Sequence, residues 1–317
     1  MARVRRPVTV LVYHPDEAAD YAALVPPSPA VQVLVCSSPL EAAAAVADIE
    51  VLYAWGFPAD LYAQSPHLRW LQAMGAGVDW ALVPALPRRV VVTRAPGVFG
   101  PWMAEYVLGW LLWTTQRMEV YRAAQREPQW RDDVIPERLA GKTMLVVGLG
   151  EIGRSVAAAA RALGVRVVGV SRSGRAVRGV ARVYPTRALA RALGEADVVT
   201  ITVPLTSATQ GLIGRAELAA MRPSAWLVNV ARGAVVDEDA LVQALERRRI
   251  AGAILDVFTT EPLPPEHRLW KLDNVVITPH IAGPSTPAEI APIFNENLAR
   301  FLRGRPLRHV VDRRRGY

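Results

Sequence analysis

The strongest constraint on the fold is the stretch MLVVGLGEIGRSVAAAARALGVRVVGVSRSG, which runs from Met144 to Gly174. Thr143–Val147 and Val165–Val170 have the apolar, valine-rich composition of buried strands. Arg154–Leu163 between them has the composition of a helix, and the turn Gly148–Gly153 fits the pattern G-x-G-x-x-G. A strand, a glycine turn, a helix and a second strand in this order predict a βαβ unit in a parallel sheet.

The residue types in this turn suit a bound diphosphate. Gly148 permits the tight turn, Gly150 places no side chain in the path of a phosphate, and Gly153 lets the helix approach the strand. The first amides of the helix offer hydrogen-bond donors and a partial positive charge. The alternative is a glycine turn in an α/β domain that binds nothing. We expect a dinucleotide to be held by Gly148, Leu149, Gly150, Glu151, Ile152 and Gly153.

The end of the second strand indicates which dinucleotide is bound. An NAD site usually carries Asp or Glu there, which accepts hydrogen bonds from the ribose 2′-OH. This chain has Ser171, Arg172, Ser173, Gly174 and Arg175 instead. An arginine fork binds phosphate oxygens in pairs, and serine hydroxyls can donate to them. We therefore expect NADP as the preferred cofactor, with NAD as the other option, and with Arg172 before Arg175 as the contact. The alternative is that these arginines only face solvent.

Composition narrows the class of protein further. The 317 residues are 51% hydrophobic and carry a net charge of +8. The arginines are scattered, and the densest groups, Arg247–Arg249 and Arg313–Arg315, are short. Net charge alone is weak support for nucleic-acid binding. We expect a globular protein with no nucleic-acid partner.

Cysteine usage and hydropathy exclude other classes. A single cysteine, Cys36, rules out an intrachain disulfide and a cysteine zinc cluster, so we expect no metal site. The start MARVRRPVTVLVY predicts a first strand, because its apolar run is short and no small-residue cleavage site follows. The apolar segment Tyr106–Trp113 is too short to span a bilayer. We expect a cytoplasmic protein with no membrane contact.

Apolar runs alternate with alanine-rich or proline-rich segments at both ends of the chain. A long helix is predicted from Pro101 to about Gln125, a last helix at Pro287–Leu302 and a short strand at His309–Val311. We predict an α/β fold of two doubly wound, parallel-sheet, Rossmann-like domains. The first is flavodoxin-like and is completed by the C-terminal helix. The boundaries are 1–100 plus 284–317 for a substrate-binding domain and 101–283 for the dinucleotide-binding domain.

Three further strands of the second domain end next to residues that suit the reduction of a keto acid. Arg232, Glu261 and His280 each follow such a strand, and the carboxyl ends of parallel strands meet at one edge of the sheet. Arg232 can bind a carboxylate and a carbonyl with two hydrogen bonds. His280 can protonate the oxygen when hydride reaches the carbonyl carbon. Glu261 can favour the imidazolium and fix the ring. Taken singly, each is equally explained as a surface or turn residue.

The ordered motifs GLGEIG, VNVARGAVVDEDAL, LDVFTTEPLP and ITPHIAG resemble the D-isomer-specific 2-hydroxyacid dehydrogenases. The segment EPLPPEHRLWKLDNVVITPHIAGPSTPAE and the sequence SRSGR resemble the glyoxylate/hydroxypyruvate reductases of that family. The resemblance implies an NAD(P)-dependent enzyme, with the roles above for Arg232, Glu261 and His280. It also implies that Asp256 holds the nicotinamide carboxamide side. Further cofactor contacts that it implies are Val203, Pro204, Thr209, Val230, Ala231, Ala282 and Gly283.

The motif WLQAMGAGVDW resembles the substrate loop of the family. By this resemblance the backbone N–H groups of Ala76 and Gly77 meet the substrate carboxylate. We expect Trp55 and Met74 to line the substrate pocket, although Trp55 and Phe57 are also explained as core residues at a strand end. The resemblance further implies a homodimer, with Trp130 in an arm that reaches the partner's active site. Packing of Trp130 on its own subunit is the alternative.

Two classes of function are consistent with these residues. The first is an enzyme that uses NADPH to reduce a small 2-keto acid, such as glyoxylate or hydroxypyruvate, to the D-2-hydroxy acid. The second is a non-catalytic, dinucleotide-sensing binding protein or corepressor of the same fold. The presence of Arg232, Glu261, His280 and the MGAGVD loop together favours the enzyme.

Overall fold

The computed structural model describes residues 6–317, and these residues form two compact units. The first unit contains the chain up to Val98 together with Ser285–Tyr317, and the second is Phe99–Pro284. The start of the chain, Met1–Arg5, on which the question of a signal peptide depends, lies outside the described residues.

The first unit is built on five short strands. They are β1 (Val8–Tyr13), β2 (Val31–Cys36), β3 (Val51–Ala54), β4 (Trp70–Ala73) and β5 (Val91–Thr93). All pair in parallel in the order β2-β1-β3-β4-β5, which is the flavodoxin order. Strands covered on both faces need apolar side chains throughout, and every residue of β3 and β4 is buried.

The second unit is built on seven parallel strands. They are β6 (Thr143–Val147), β7 (Arg166–Ser171), β8 (Arg182–Pro185), β9 (Val198–Ile201), β10 (Trp226–Asn229), β11 (Gly252–Leu255) and β12 (Val275–Ile277). Their order is β12-β11-β10-β9-β6-β7-β8, so the direction of winding reverses between β6 and β9. Ligands of open α/β sheets bind at the carboxyl ends of the strands near such a reversal. The predicted fold class of two doubly wound parallel-sheet units is confirmed.

Helices cover the faces of both sheets. They are α1 (Ala18–Ala23), α2 (Pro39–Ala45), α3 (Phe99–Thr115), α4 (Met118–Ala124), α5 (Glu151–Ala162), α6 (Leu189–Leu193), α7 (Arg215–Ala220), α8 (Glu238–Glu246) and α9 (Pro287–Leu302). None of the helices within residues 6–317 combines the length and the apolar character that a membrane span requires.

Helix α9 belongs to the first unit, as the sequence predicted. Thr286 and Glu289 form a capping box at its start, and Pro287 occupies the first turn. The ring of Phe294 stacks on Tyr53 at 4.0 Å and on Trp70 at 5.2 Å between ring centroids, and all three side chains are fully buried. The burial of these rings fixes the C-terminal helix on the first sheet.

Two predicted elements differ from the structure. The long helix predicted from Pro101 to Gln125 is divided at Arg117, which has φ of 55°. The hydroxyl of Thr115 bonds to the Leu111 carbonyl, and such bonds weaken the helical ladder at its end. The strand predicted at His309–Val311 is a single antiparallel bridge between Val310 and Thr93, which is too short to form a strand.

Candidate active site

The glycine turn after β6 is shaped by close contacts within the chain. Gly148 has φ of 102°, and a Cβ on Gly153 would lie 1.9 Å from the Gly148 carbonyl oxygen. No other residue fits either position without moving backbone. Gly150 differs, because a Cβ there would meet no atom of the chain within 4 Å. The space next to Gly150 is therefore open, as the approach of a phosphate requires.

The start of α5 can receive an anion. Gly150 is the N-cap, and no side chain caps the first amides. Leu149 is buried and fills the space that a Cβ on Gly169 of β7 would take, so it can contribute only its backbone. Of the other predicted contacts, Glu151 is exposed and Ile152 is half-buried in the first turn of the helix.

Thr202 holds the glycine turn from the neighbouring strand, and sequence reasoning missed it. Its hydroxyl donates to the Gly148 carbonyl at 2.7 Å. Val203 comes next, and its Cγ1 would lie 2.8 Å from a Cβ on Gly148. The hydroxyl of Thr209 donates to the Pro204 carbonyl at 2.6 Å. Thr209, which was predicted to contact the cofactor, thus shapes the loop that contains Pro204.

The turn after β7 presents two arginines to solvent. The hydroxyl oxygen of Ser171 accepts the Gly174 amide at 3.2 Å, and that of Ser173 accepts the Arg175 amide at 3.3 Å. Gly174 has φ of 64°, which the turn requires. Arg172 and Arg175 are both exposed beside these hydroxyls. The turn thus combines cations and hydroxyl donors in a segment that contains no carboxylate.

Asn229 shapes the turn that carries Arg232, and it is a second residue that sequence reasoning missed. Its side-chain amide donates to the Arg232 carbonyl at 3.0 Å, and its side-chain oxygen accepts the Ala231 amide at 3.1 Å. The guanidinium of Arg232 donates to the Ala231 carbonyl at 2.9 Å. Val230 and Ala231 are buried, so backbone rather than side chain faces a ligand there. An Asn at the end of a buried strand is the signal that could have indicated this role.

Glu261 and His280 form a hydrogen-bonded pair. The Nδ1 atom of His280 lies 2.8 Å from Oε2 of Glu261, and the two side chains are 41% and 37% exposed. The other carboxylate oxygen of Glu261 accepts the Phe258 amide at 2.9 Å. One oxygen thus anchors the carboxylate and the other orients the imidazole. The Nε2 atom is the ring nitrogen left for a second contact, as in a general acid oriented by a carboxylate.

The backbone of His280 is held in a sparsely populated conformation. Its φ is 56°, which for a residue other than glycine costs about 1 kcal/mol or more. The His280 amide donates to the Asp256 carbonyl at 2.9 Å. The Asp256 carboxylate accepts the amides of Ile281 and Ala282, each at 2.8 Å. Asp256 therefore fixes the loop in which His280 lies.

Asp256 was predicted to contact the nicotinamide, and in the structure it also holds the loop that follows His280. The residue is 1% exposed, and its Oδ1 accepts both the Thr278 hydroxyl and the Ile281 amide. Its Oδ2 accepts the Ala282 amide, which leaves this oxygen capacity for one more donor. Ala282 is also buried, and a Cβ on Gly283 would lie 2.8 Å from Met103 Cε.

The predicted substrate residues lie in the first unit, after β3 and β4. Trp55 is 41% exposed, and its ring would lie 3.2 Å from a Cβ on Gly75, so the glycine lets the indole cover this loop. Ala76 and Gly77 are half-buried. Met74 is fully buried, so its side chain is inaccessible and only its backbone borders the loop.

Trp130 does not pack on its own subunit, because its side chain is 91% exposed. It lies in the segment after α4, where Arg131 and Asp133 form a bidentate ion pair. The alternative of intrasubunit packing is therefore wrong. Within residues 6–317, no cluster of His, Cys, Asp or Glu side chains could hold a metal ion.

The second unit has the fold and the strand-end geometry of a dinucleotide-binding α/β protein. A family profile for the D-isomer specific 2-hydroxyacid dehydrogenases, NAD-binding domain, matches residues 108–282. A glyoxylate reductase of Thermofilum pendens is 38% identical over 258 residues, which cover 78% of this chain and 75% of the relative.

Two solved structures are similar over nearly the whole chain. One is a D-isomer specific 2-hydroxyacid dehydrogenase family protein of Aeromonas salmonicida, with a TM-score of 0.88, 34% identity, and coverage of 98% of this chain and 100% of that one. The other is an NADPH-dependent glyoxylate/hydroxypyruvate reductase of Sinorhizobium meliloti in complex with NADP and sulfate, with a TM-score of 0.87, 32% identity, and coverage of 99% and 100%.

The chain belongs to the D-isomer specific 2-hydroxyacid dehydrogenase family. It is an NAD(P)-dependent D-2-hydroxyacid dehydrogenase. The family resemblance found in the sequence motifs is thus confirmed.

Proposed function

We propose that this enzyme uses NADPH to reduce a small 2-keto acid of the glyoxylate or hydroxypyruvate type to the D-2-hydroxy acid. The observation that carries the proposal is the 2.8 Å pairing of His280 with Glu261, in the unit that also contains the glycine turn. The names of the relatives, a glyoxylate reductase and a glyoxylate/hydroxypyruvate reductase, support the substrate class.

The residues of the second unit fit a dinucleotide. The open space at Gly150 and the uncapped amides of α5 suit its pyrophosphate. When bound, the cofactor supplies the hydride that the carbonyl carbon accepts. Val203, Pro204 and Thr209 would border the adenosine half. The backbone at Val230, Ala231, Ala282 and Gly283, together with Oδ2 of Asp256, would border the nicotinamide half.

The proton chemistry belongs to His280 and Glu261. His280 donates a proton from Nε2 to the substrate oxygen, which would otherwise carry the negative charge of an alkoxide. Glu261 accepts the hydrogen bond of Nδ1 and so orients the ring with Nε2 toward the substrate oxygen. Arg232 binds the carboxylate and the carbonyl oxygen of the substrate through its guanidinium. This guanidinium donates to the Ala231 carbonyl in the structure and would exchange that bond for the substrate.

We propose that NADP is preferred over NAD. Arg172, with Arg175 behind it, would pair with the 2′-phosphate, and the hydroxyls of Ser171 and Ser173 would donate to its oxygens. Both hydroxyls already accept amide hydrogens through their lone pairs, so their own hydrogens stay available.

The first unit would supply the binding of the substrate. The amides of Ala76 and Gly77 would receive the substrate carboxylate, and Trp55 would form an apolar wall beside it. The exposed Trp130 supports a homodimer in which this side chain contacts the partner. The cytoplasmic location stays a prediction from the sequence.

The test is turnover. NADPH oxidation is followed with glyoxylate, hydroxypyruvate and larger 2-keto acids, for the wild type and for His280→Ala. Loss of the general acid is expected to lower kcat by about a thousandfold. His67→Ala, at an exposed histidine of the first unit, is the matched control and should keep full activity. A wild type that reduces none of these acids, yet binds NADPH, would identify the non-catalytic dinucleotide-sensing protein instead.

A further inference from the structure

A chain of hydrogen bonds runs from helix α3 to the loop of His280. The hydroxyl of Tyr106 lies 2.5 Å from Oγ1 of Thr278. The hydroxyl of Thr278 lies 2.6 Å from Oδ1 of Asp256. The same carboxylate accepts the amides of Ile281 and Ala282, which directly follow His280. These hydrogen bonds therefore link Tyr106 of α3 to Thr278, which lies 172 positions further along the sequence, and through Asp256 to the loop of His280.

The direction of each bond follows from the donors present. The Asp256 carboxylate serves as an acceptor for three donors, so the hydrogen of Thr278 points to Asp256. Oγ1 of Thr278 is then an acceptor, and Tyr106 is the donor. Burial raises the pKa of the Tyr106 phenol and the nearby Asp256 charge raises it further, against the opposing effect of the hydrogen bond to Thr278. The phenol therefore stays protonated, and its O–H group donates the hydrogen bond to Thr278.

These bonds bear on His280 because its backbone conformation is unfavourable by itself. His280 has φ of 56°, and the bonds of Asp256 to the next two amides hold the loop in place. Asp256 is buried, and its carboxylate accepts hydrogen bonds from one hydroxyl and two backbone amides. Its orientation thus depends on neutral donors, of which Thr278 is the one side chain bonded to it directly.

We propose that Thr278 and Tyr106 are positioning residues for the reduction. They orient the Asp256 carboxylate, which holds the His280 loop so that the imidazole stays against Glu261. Neither residue donates a proton to the substrate in this scheme. The proposal rests on the proposed role of His280 as proton donor.

The test compares variants that remove one hydroxyl and little volume. Thr278→Val removes both hydrogen bonds of the Thr278 hydroxyl, Tyr106→Phe removes the bond between Tyr106 and Thr278, and Thr278→Ser keeps the hydroxyl. Thr114→Val is the matched control for threonine, since Thr114 is buried in α3 and its hydroxyl donates to the Leu111 carbonyl of the same helix. Tyr62→Phe is the control for tyrosine, since its buried hydroxyl has no partner among the described residues.

With NADPH and glyoxylate, Thr278→Val is expected to lower kcat by about tenfold to a hundredfold, because small displacements of a reacting group are costly. The KM for NADPH should rise by a smaller factor than kcat falls, since Oδ2 of Asp256 keeps the Ala282 amide and the glycine turn is untouched. Tyr106→Phe should lower kcat by less, and Thr278→Ser should restore it. The isotope effect with NADPH deuterated at the transferred position should rise in Thr278→Val. A kcat within twofold of wild type, or equal losses in Thr278→Val and Thr278→Ser, would overturn the proposal.

Amide hydrogen exchange supplies a readout that needs no turnover. The amides of Ile281 and Ala282 should exchange faster in Thr278→Val and in Tyr106→Phe than in wild type, and at the wild-type rate in Thr278→Ser and in both controls. Unchanged exchange in Thr278→Val and Tyr106→Phe would refute the positioning role even if kcat falls. A wild type without reductase activity would defeat the proposed function alone, because exchange would still report whether Thr278 holds this loop. If Thr278→Val does not fold, Tyr106→Phe decides the question by the same two measurements.

Discussion

The two parallel sheets differ in the residues that stand at the carboxyl ends of their strands. In the second unit these residues are polar and bonded to the loops that follow, as at Thr202, Asn229, Asp256 and Thr278. In the first unit two strands, β1 and β3, are followed by aromatic rings, His14 and Trp55. His14 stacks on Tyr21 at 5.5 Å and lies 6.2 Å from Trp55, between ring centroids. The same architecture therefore carries two kinds of strand end.

Buried polar groups follow the same division. Three of those in the first unit, Gln72, Thr93 and Asn297, join the sheet to α9 by hydrogen bonds. Those of the second unit fix the course of loops. Directed hydrogen bonds hold a loop in one position, whereas ring contacts act mainly through shape and apolar area. The residues that we assign to ligands follow strand ends in both units, in keeping with the rule that function lies in sites placed on a fold.

The largest effect is expected in the glycine turn, where Gly153 is required for packing and Gly150 for binding. Gly153→Ala should lower the free energy of unfolding by about 3 kcal/mol, because its Cβ would meet the Gly148 carbonyl oxygen. The Cβ added in Gly150→Ala would meet no atom of the chain, so this variant should lose less stability. It should nevertheless weaken NADPH binding at least tenfold, by about 1.4 kcal/mol. Urea unfolding and quenching of tryptophan fluorescence by NADPH measure the two effects. Equal stability loss in both variants would contradict this division.

A smaller effect is expected at the end of β7. Arg172→Asp should shift the ratio of kcat/KM for NADPH over NADH by about thirtyfold toward NADH, since a charged hydrogen bond of about 2 kcal/mol is replaced by repulsion. Arg166→Asp, at the opposite end of the same strand, is the matched control, because Arg166 is also exposed. An unchanged ratio in Arg172→Asp would remove this residue from the proposed phosphate site.

The smallest effect tests the first unit. Nδ1 of His14 accepts the amides of Asp16 and Glu17, and burial lowers the pKa of His14 against the opposing charges of Glu17 and Asp16. The unfolded chain, with a pKa of about 6.5, then binds the proton more tightly than the folded chain. Stability contributed by neutral His14 is present above about pH 6.5 and is lost as the pH falls toward the lowered folded value.

Thermal unfolding between pH 7 and pH 5 measures this effect. His14→Asn keeps an acceptor for the two amides and cannot be protonated, so its melting temperature should fall by about 1–3 °C less than that of the wild type over this range. His67→Asn, at an exposed position, should follow the wild type. Identical pH dependence in wild type and His14→Asn would show that His14 is not held neutral by the fold.

Much of the candidate site could be predicted from the sequence, because its parts are local. The glycine spacing at Gly148–Gly153 and the position of His280 after a strand are each visible within a few residues of chain. Burial is not local, because a loop motif does not reveal which side chain the core covers, and Met74 is fully buried. The end of helix α3 is not local either, since Arg117 divides a segment whose apolar spacing continues past it.

The sequence by itself determined the class of fold, the glycine turn and the identity of the charged residues after each strand, since hydrophobic period and glycine spacing are short-range properties. Only the tertiary structure decided the partner of each polar group. Asp256 bonds to amides more than twenty positions ahead, and Tyr106 of α3 bonds to Thr278 after β12. The reason is physical: a side-chain hydrogen bond requires the two atoms to meet within about 3 Å, and for residues far apart in the chain only the packing of the whole unit brings this about.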